Sequence, residues 1–345
     1  MIEIDGSKKG GSGTILRLAV AFSAIKNQPL HIYNIRHNRP QPGLKPQHLE
    51  AVLTAARLCD AEVEGAKVNS RELWFNPKQI KGGRIEAEIG TAGSIPMLLM
   101  TVLPICAYAK SKVDLHVAKG GTDVSNAPTI NYMRLVLLPL LKRMGLNAVI
   151  KVHKYGYYPK GNGEVTMTVE PAKNLKPIQL ERLGKIGTIK GVSVCTFLAE
   201  RKVAERQAKT AEAYFRSKGF RTEIQILNDI SNPLQKGSSL LLWTDTDTGV
   251  ILGADAIGEL KKTSEKVGEE AAQKLWAEIS MSSTVDAHMA DLLIPYVALA
   301  SGKSVFMTYT MSEHLETNIW LAEEILQVKF KTERTNVLYR VEKAG

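Results

Sequence analysis

Along most of the chain, stretches whose apolar residues alternate one by one give way to stretches whose apolar residues recur every three to four positions. That rhythm calls for sheets covered by helices, an α/β (α+β) chain. Met1–Asp5 alternates like a strand, and Ile15–Ile25 puts Ile15, Leu18, Ala19 and Phe22 on one helical face. His31–Ile35 reads as a strand, and Pro46–Cys59 as a helix opened by proline. Glu72–Phe75 and Arg84–Ile89 follow as strands, Ser94–Ala109 and Thr129–Met144 as helices, and Ala148–His153 and Glu164–Val169 as strands. The regular phosphate-binding βαβ rhythm of a dinucleotide fold is missing. Glycine runs at Lys81-Gly-Gly, Lys119-Gly-Gly and Lys160-Gly-Asn-Gly predict an internal repeat of roughly 70–80 residues.

Charge marks out a central block. The 345 residues carry 45 Lys plus Arg against 35 Asp plus Glu, a formal charge of +10. Residues 185–280 hold 14 basic and 13 acidic side chains, so nearly all the excess lies outside them. This block has its own strand and helix patterns: strands at Ile189–Leu198, Thr222–Leu227, Ser239–Trp243 and Gly249–Leu252, helices at Lys202–Lys218 and Glu265–Ile279. After it come helices at Val285–Ala300 and Glu313–Leu326 flanking a strand at Ser304–Met307. The simplest reading is a large domain built from 1–184 and 281–345, with a smaller α/β domain, 185–280, inserted in it. The most apolar run, Ile95–Ala109, contains Pro96 and Pro104 and falls short of the roughly 18 residues that cross a bilayer, so a buried helix and no membrane are expected. The N-terminus lacks a secretory apolar region. Cys59, Cys106 and Cys195 are too scattered for a disulfide framework or a cysteine zinc site, which suits a reducing cytoplasm.

From Gly6 to Leu49 there is no Asp or Glu, yet Lys8, Lys9, Arg17, Lys26, Arg36, Arg39 and Lys45 all fall there. Such a stretch points to an anion site. GSKKGGSG, between a strand and a helix, can cradle phosphates on backbone N–H groups at a helix start. It is neither a Walker A loop nor a dinucleotide fingerprint. Arg36 and Arg39, on a proline-stiffened loop, are placed to clamp phosphate oxygens, and Gln47 and His48 begin the next helix. Charges on the 202–218 helix, Arg206 and Lys209 among them, read as a solvated face, and TDTDTG reads as a hairpin turn.

PGLKPQHL, the run GTAGS at Gly90–Ser94, KGGTDVSNAP at Lys119–Pro128 and GYYPKGNGEV at Gly156–Val165 together resemble the RNA 3′-terminal phosphate cyclase family. The resemblance implies three βαβαββ-type modules with a small α/β domain inserted before the last module's second half. It implies an enzyme that spends ATP, with Mg²⁺ or Mn²⁺, to adenylylate a histidine. AMP would then pass to an RNA 3′-phosphate, which the vicinal 2′-hydroxyl closes to a 2′,3′-cyclic phosphate. The histidine would be His314, in SEHLETNI, at the first turn of a helix whose dipole favours a neutral ring. Arg17, Arg36, Arg39, Gln47 and His48 match positions that hold phosphates of ATP or RNA. Pro128 and Asp291 match the adenylate pocket, and Asp291 is the matched acid left for a metal.

The sequence departs from that family where Glu-Gly-Gly-Gly-Gln becomes Gly10-Gly11-Ser12-Gly13-Thr14. A usual Gln appears as Met100, and Tyr-Leu-x-Asp-Gln appears as His288-Met-Ala-Asp-Leu292. A metal-associated carboxylate and three amides are therefore replaced, with Lys8 and Lys9 near enough in sequence to supply charge. The competing reading is a cyclase-like RNA-binding or ribosome-assembly protein without turnover.

Overall fold

The computed structural model describes residues 1–172 and 174–345. Its first sheet is built from β1 (Ile2–Asp5), α1 (Gly13–Lys26), β2 (Leu30–Tyr33), α2 (Pro46–Cys59), β3 (Glu62–Glu64) and β4 (Leu73–Asn76), in strand order β1-β2-β4-β3. β1 and β2 are parallel, as a helical crossover requires, and β4 runs antiparallel to its neighbours. The second sheet uses β5 (Gly83–Glu88), α3 (Ile95–Cys106), β6 (Val113–Gly120), then a helix that starts as α4 (Ile130–Tyr132), passes a π-turn at Met133–Leu137 and continues as α5 (Leu138–Arg143). It closes with β7 (Asn147–Lys154) and β8 (Gly163–Glu170), in the order β5-β6-β8-β7.

β9 (Gln179–Leu180) opens a third unit, which the chain leaves at once for a fourth sheet. That sheet comprises β10 (Ile189–Thr196), α6 (Val203–Ser217), β11 (Thr222–Asp229), β12 (Gly237–Asp245), β13 (Ile251–Ile257) and α7 (Ser264–Ser280), ordered β11-β10-β12-β13. The chain returns through α8 (Ala287–Leu299), β14 (Ser304–Thr308), α9 (Glu313–Leu326), β15 (Phe330–Thr335) and β16 (Leu338–Lys343). β14 pairs with β9, giving the order β9-β14-β16-β15, the third occurrence of one pattern. The glycine runs do not mark its period. Gly82 and Gly83 sit at the start of β5, but Gly120, Gly121, Gly161 and Gly163 all lie inside the second unit.

Each repeated sheet presents one apolar face to helices. On β8, Val165, Met167 and Val169 are buried while Glu164, Thr166 and Thr168 are half-exposed. The helices pack on one another between the sheets: α1 lies against α2, α3 and α9. α1 is buried from Gly13 to Ala24, so its polar N-terminus is held inside the protein. α3 is a core helix as its composition requires, and no helix among the described residues is long and apolar enough to cross a membrane. All three cysteines are free and buried.

The fourth sheet is fastened to the second unit by polar contacts. Asn232 donates to the carbonyls of Tyr155 (2.7 Å) and Gly161 (2.9 Å) and accepts from Asn162 (3.1 Å). The GYYPKGNG loop is thus part of a clamp. Asp286 caps α8 and accepts from the Tyr132 hydroxyl (2.6 Å) and the Gly253 N–H (2.9 Å), as well as from Met289 N (3.0 Å). With three donors, Asp286 carries the negative charge. Among the described residues, its neighbour Glu278 accepts only from Ala287 N (2.8 Å), and its second oxygen is buried without a partner. Burial and Asp286 push the Glu278 carboxyl up to about 8, against 4.5 when exposed. Between those values the folded state keeps a proton that the unfolded chain has released, so stability falls as pH rises through that window. Glu278→Gln keeps the acceptor and removes the ionisation. It should stabilise the protein by about 1–3 kcal/mol near pH 8 and by little near pH 4, read by thermal unfolding at both.

Candidate active site

The basic N-terminal segment folds into a cradle. Asp5 accepts from the N–H (2.9 Å) and hydroxyl (2.7 Å) of Ser7 and from Asn34 (3.0 Å), pinning the start of the glycine loop. Ser12 caps α1, whose first turn holds no acid, so N–H groups and positive potential face the loop. Gly13 is required there, because a Cβ would collide with Nε2 of His48.

Arg17, one turn into α1, is only 8% exposed. Its guanidinium has no hydrogen-bond or carboxylate partner among the described residues; burial and Arg36 hold its pKa down at about 10. An unpartnered buried cation costs stability, a cost that a bound anion would offset. His48 is 5% exposed and its Nδ1 accepts from Lys45 N (3.3 Å), which leaves Nε2 as the N–H donor. Burial, then Arg17, Arg36 and Lys45, push its pKa down to about 3, so the ring is neutral. Gln47 accepts from Ser94 N (2.7 Å) and so ties the start of α2 to that of α3.

The two arginines of the expected clamp differ in their surroundings. Arg36 has a left-handed backbone (φ 56) and donates through Nη1 to the carbonyls of Gln41 and Gly43, both at 2.8 Å. One arm of its guanidinium therefore braces its own proline-rich loop, whose carbonyls lack strand partners. Arg39 stays exposed, with no carboxylate partner among the described residues.

Across the loop stands His314, in the first turn of α9. Ser312 caps that helix, accepting from Leu315 N (2.9 Å) and donating to Asp291 (2.5 Å). Nδ1 of His314 lies 3.5 Å from the Ser12 hydroxyl, so the start of α9 meets the start of α1. Partial desolvation, then Arg17 and Arg39, lower the His314 pKa, with Glu313 opposing. Asn318, absent from the sequence-based set, locks this arrangement. It accepts from Thr14 (3.1 Å) and donates to the Asp291 carbonyl (2.8 Å), joining α1, α8 and α9. Its position four residues after His314, on the same helical face, was the available signal.

Beyond Asp291 the site continues toward the fourth sheet. Asp255, on β13, accepts from Thr129 N (2.7 Å), next to the buried Pro128, and lies 3.7 Å from Nε2 of His288. The His288 ring meets the Tyr132 ring edge to face at 5.7 Å. Burial pushes the Asp291 carboxyl up to about 6. Met100 and Leu292 are half-buried against the apolar core and bring no polar group. Lys8 lies 5.6 Å over the Trp320 ring on α9. Arg206 is committed to Glu265 at 2.7 and 2.8 Å, and Asp245 and Asp247 to Lys190 and the Lys185 N–H. Among the described residues, no three His, Cys, Asp or Glu side chains converge as a metal cage.

A helix start, an unpartnered buried guanidinium and a neutral histidine surround one glycine loop, with a second histidine, His314, across it. A sequence model of the RNA 3′-terminal phosphate cyclase family matches residues 8–332. The chain is 43% identical over 346 residues to the RNA 3′-terminal phosphate cyclase of Pyrobaculum neutrophilum, covering 100% of this chain and 98% of that one. It is 43% identical over 332 residues to that of Methanopyrus kandleri, covering 95% and 94%. The chain belongs to the RNA 3′-terminal phosphate cyclase family. The enolpyruvyl transferase NikO from Streptomyces tendae aligns with 99% of this chain and 50% of that chain, at 14% identity and a TM-score of 0.23, too loosely to carry an argument.

Proposed function

We propose that this protein uses ATP to convert an RNA 3′-terminal phosphate into a 2′,3′-cyclic phosphate, with His314 as the nucleophile. The observation that carries this reading is the meeting of His314 with the Ser12–Arg17 cradle. With the Nδ1 proton toward Ser12, the lone pair on Nε2 is free to attack the α-phosphorus of ATP, and pyrophosphate leaves. Arg17, Arg39, the His48 Nε2–H and the first N–H groups of α1 hold phosphate oxygens where charge develops. AMP then passes from His314 to an oxygen of the RNA 3′-phosphate. The neighbouring 2′-hydroxyl attacks that phosphorus, loses its proton, and AMP departs. Pro128, His288 and Asp291 line the adenylate end.

The donor set suits Mg²⁺ or Mn²⁺ that arrives with the nucleotide, since such ions are held by one or two carboxylates plus phosphates. When bound, the ion would offset triphosphate charge and ease departure of pyrophosphate. The reading is tested with ATP labelled at the α-phosphate. Acid-labile label on the denatured protein, transferable to RNA bearing a 3′-phosphate and released as a cyclic end is expected. No label with either metal, from folded protein, would remove the reading.

A further inference from the structure

Glu313 opens α9 next to His314, and its carboxylate lies over the glycine loop. A Cβ on Gly10 would stand 2.5 Å from Cδ of Glu313 and 2.7 Å from each of its oxygens. A side chain at position 10 would displace the carboxylate from this place. The Glu313 side chain has no hydrogen bond and no ion pair among the described residues, although the guanidiniums of Arg17 and Arg39 are close enough to bear on the adjoining His314. Asp291, the other acid at this end of the site, is already engaged with Ser312 at 2.5 Å.

Glu313 is exposed, and an unpartnered carboxylate at the rim of a phosphate cradle repels the ligand that the rest of the cradle attracts. A divalent cation between carboxylate and phosphate turns that repulsion into attraction. We infer that Glu313 is the protein carboxylate that holds the divalent cation of the bound nucleotide, occupying from α9 the space that a side chain at position 10 would fill. This rests on the proposed use of ATP. It makes Gly10 and Glu313 one feature: the loop is bare so that the helix can supply the acid.

Mn²⁺ binding to the full-length protein, followed by the loss of the free-ion electron paramagnetic resonance signal with and without ATP, tests this. Glu313→Gln should weaken ATP-dependent Mn²⁺ binding at least about tenfold, the lower end of what even an outer-shell partner costs. Metal-free ATP, measured by calorimetry in chelator, should bind Glu313→Gln as well as the parent or better. Glu316→Gln, which alters an exposed acid three residues further along α9, should leave Mn²⁺ affinity within about threefold of the parent. Unchanged Mn²⁺ affinity in Glu313→Gln overturns the inference, as does an equal loss in Glu316→Gln or a parent with no ATP-dependent Mn²⁺ binding. Glu313-dependent Mn²⁺ binding without any label on His314 would uphold this inference and overturn the histidine reading instead.

Discussion

His314→Ala should abolish acid-labile label from α-labelled ATP and lower cyclisation at least about 10³-fold, because it removes the atom that bonds to phosphorus. Neighbouring histidines cannot stand in. His48 is buried, its Nδ1 accepts from Lys45 N and its Nε2, close to Gly13, carries the proton, so neither nitrogen has a lone pair to spare. His288 faces Asp255 and the Tyr132 ring. Folding should survive, since the α9 cap is made by Ser312 and the interhelix tie by Asn318. Binding of ATP should survive as well, because on the proposed mechanism the phosphates are held by α1, Arg17 and His48. The measurement is labelling and single-turnover cyclisation beside ATP binding. Full-strength label on His314→Ala would place the nucleophile elsewhere.

Arg17→Met should move function and stability in opposite directions. The guanidinium is buried without a partner, so the variant should be more stable by about 1–3 kcal/mol in the absence of nucleotide. Its turnover should fall about 10²–10³-fold, the usual cost of one donor aimed at developing charge. The rise in melting temperature that ATP gives the parent should shrink accordingly. Thermal unfolding with and without ATP, together with turnover, reads all three. A variant less stable than the parent would make Arg17 a structural residue.

Local pattern carried the long elements. The bounds of α2 and α9 follow from their apolar spacing, from Pro46 at the start of one and from Ser312 before the other. β3 and β9 are three and two residues long and exist through pairing with β4 and β14, which no local period announces. The acid-free segment and the histidine were visible separately. Their approach was not, since it depends on how α1 and α9 pack. The second task of Arg36 was hidden, because sequence shows a charge but not the unmet carbonyls of Gln41 and Gly43 that recruit its Nη1. The missing acid at Gly10 was legible as a loss, whereas a carboxylate brought over it by Glu313 belongs to tertiary structure. Thr14 was likewise seen as a substitution, while its bond to Asn318 was not.

The pairing of α1 with α9 also orders events during synthesis. The ribosome delivers the phosphate cradle with the first helix and the histidine with the ninth, after β9 has waited through the whole fourth sheet for β14. A nascent or prematurely ended chain has a loop for anions but nothing to react in it. On the proposed mechanism, a chain can be charged with a nucleotide once α9 has packed on α1, so the covalent step would report that the two ends of the fold have met.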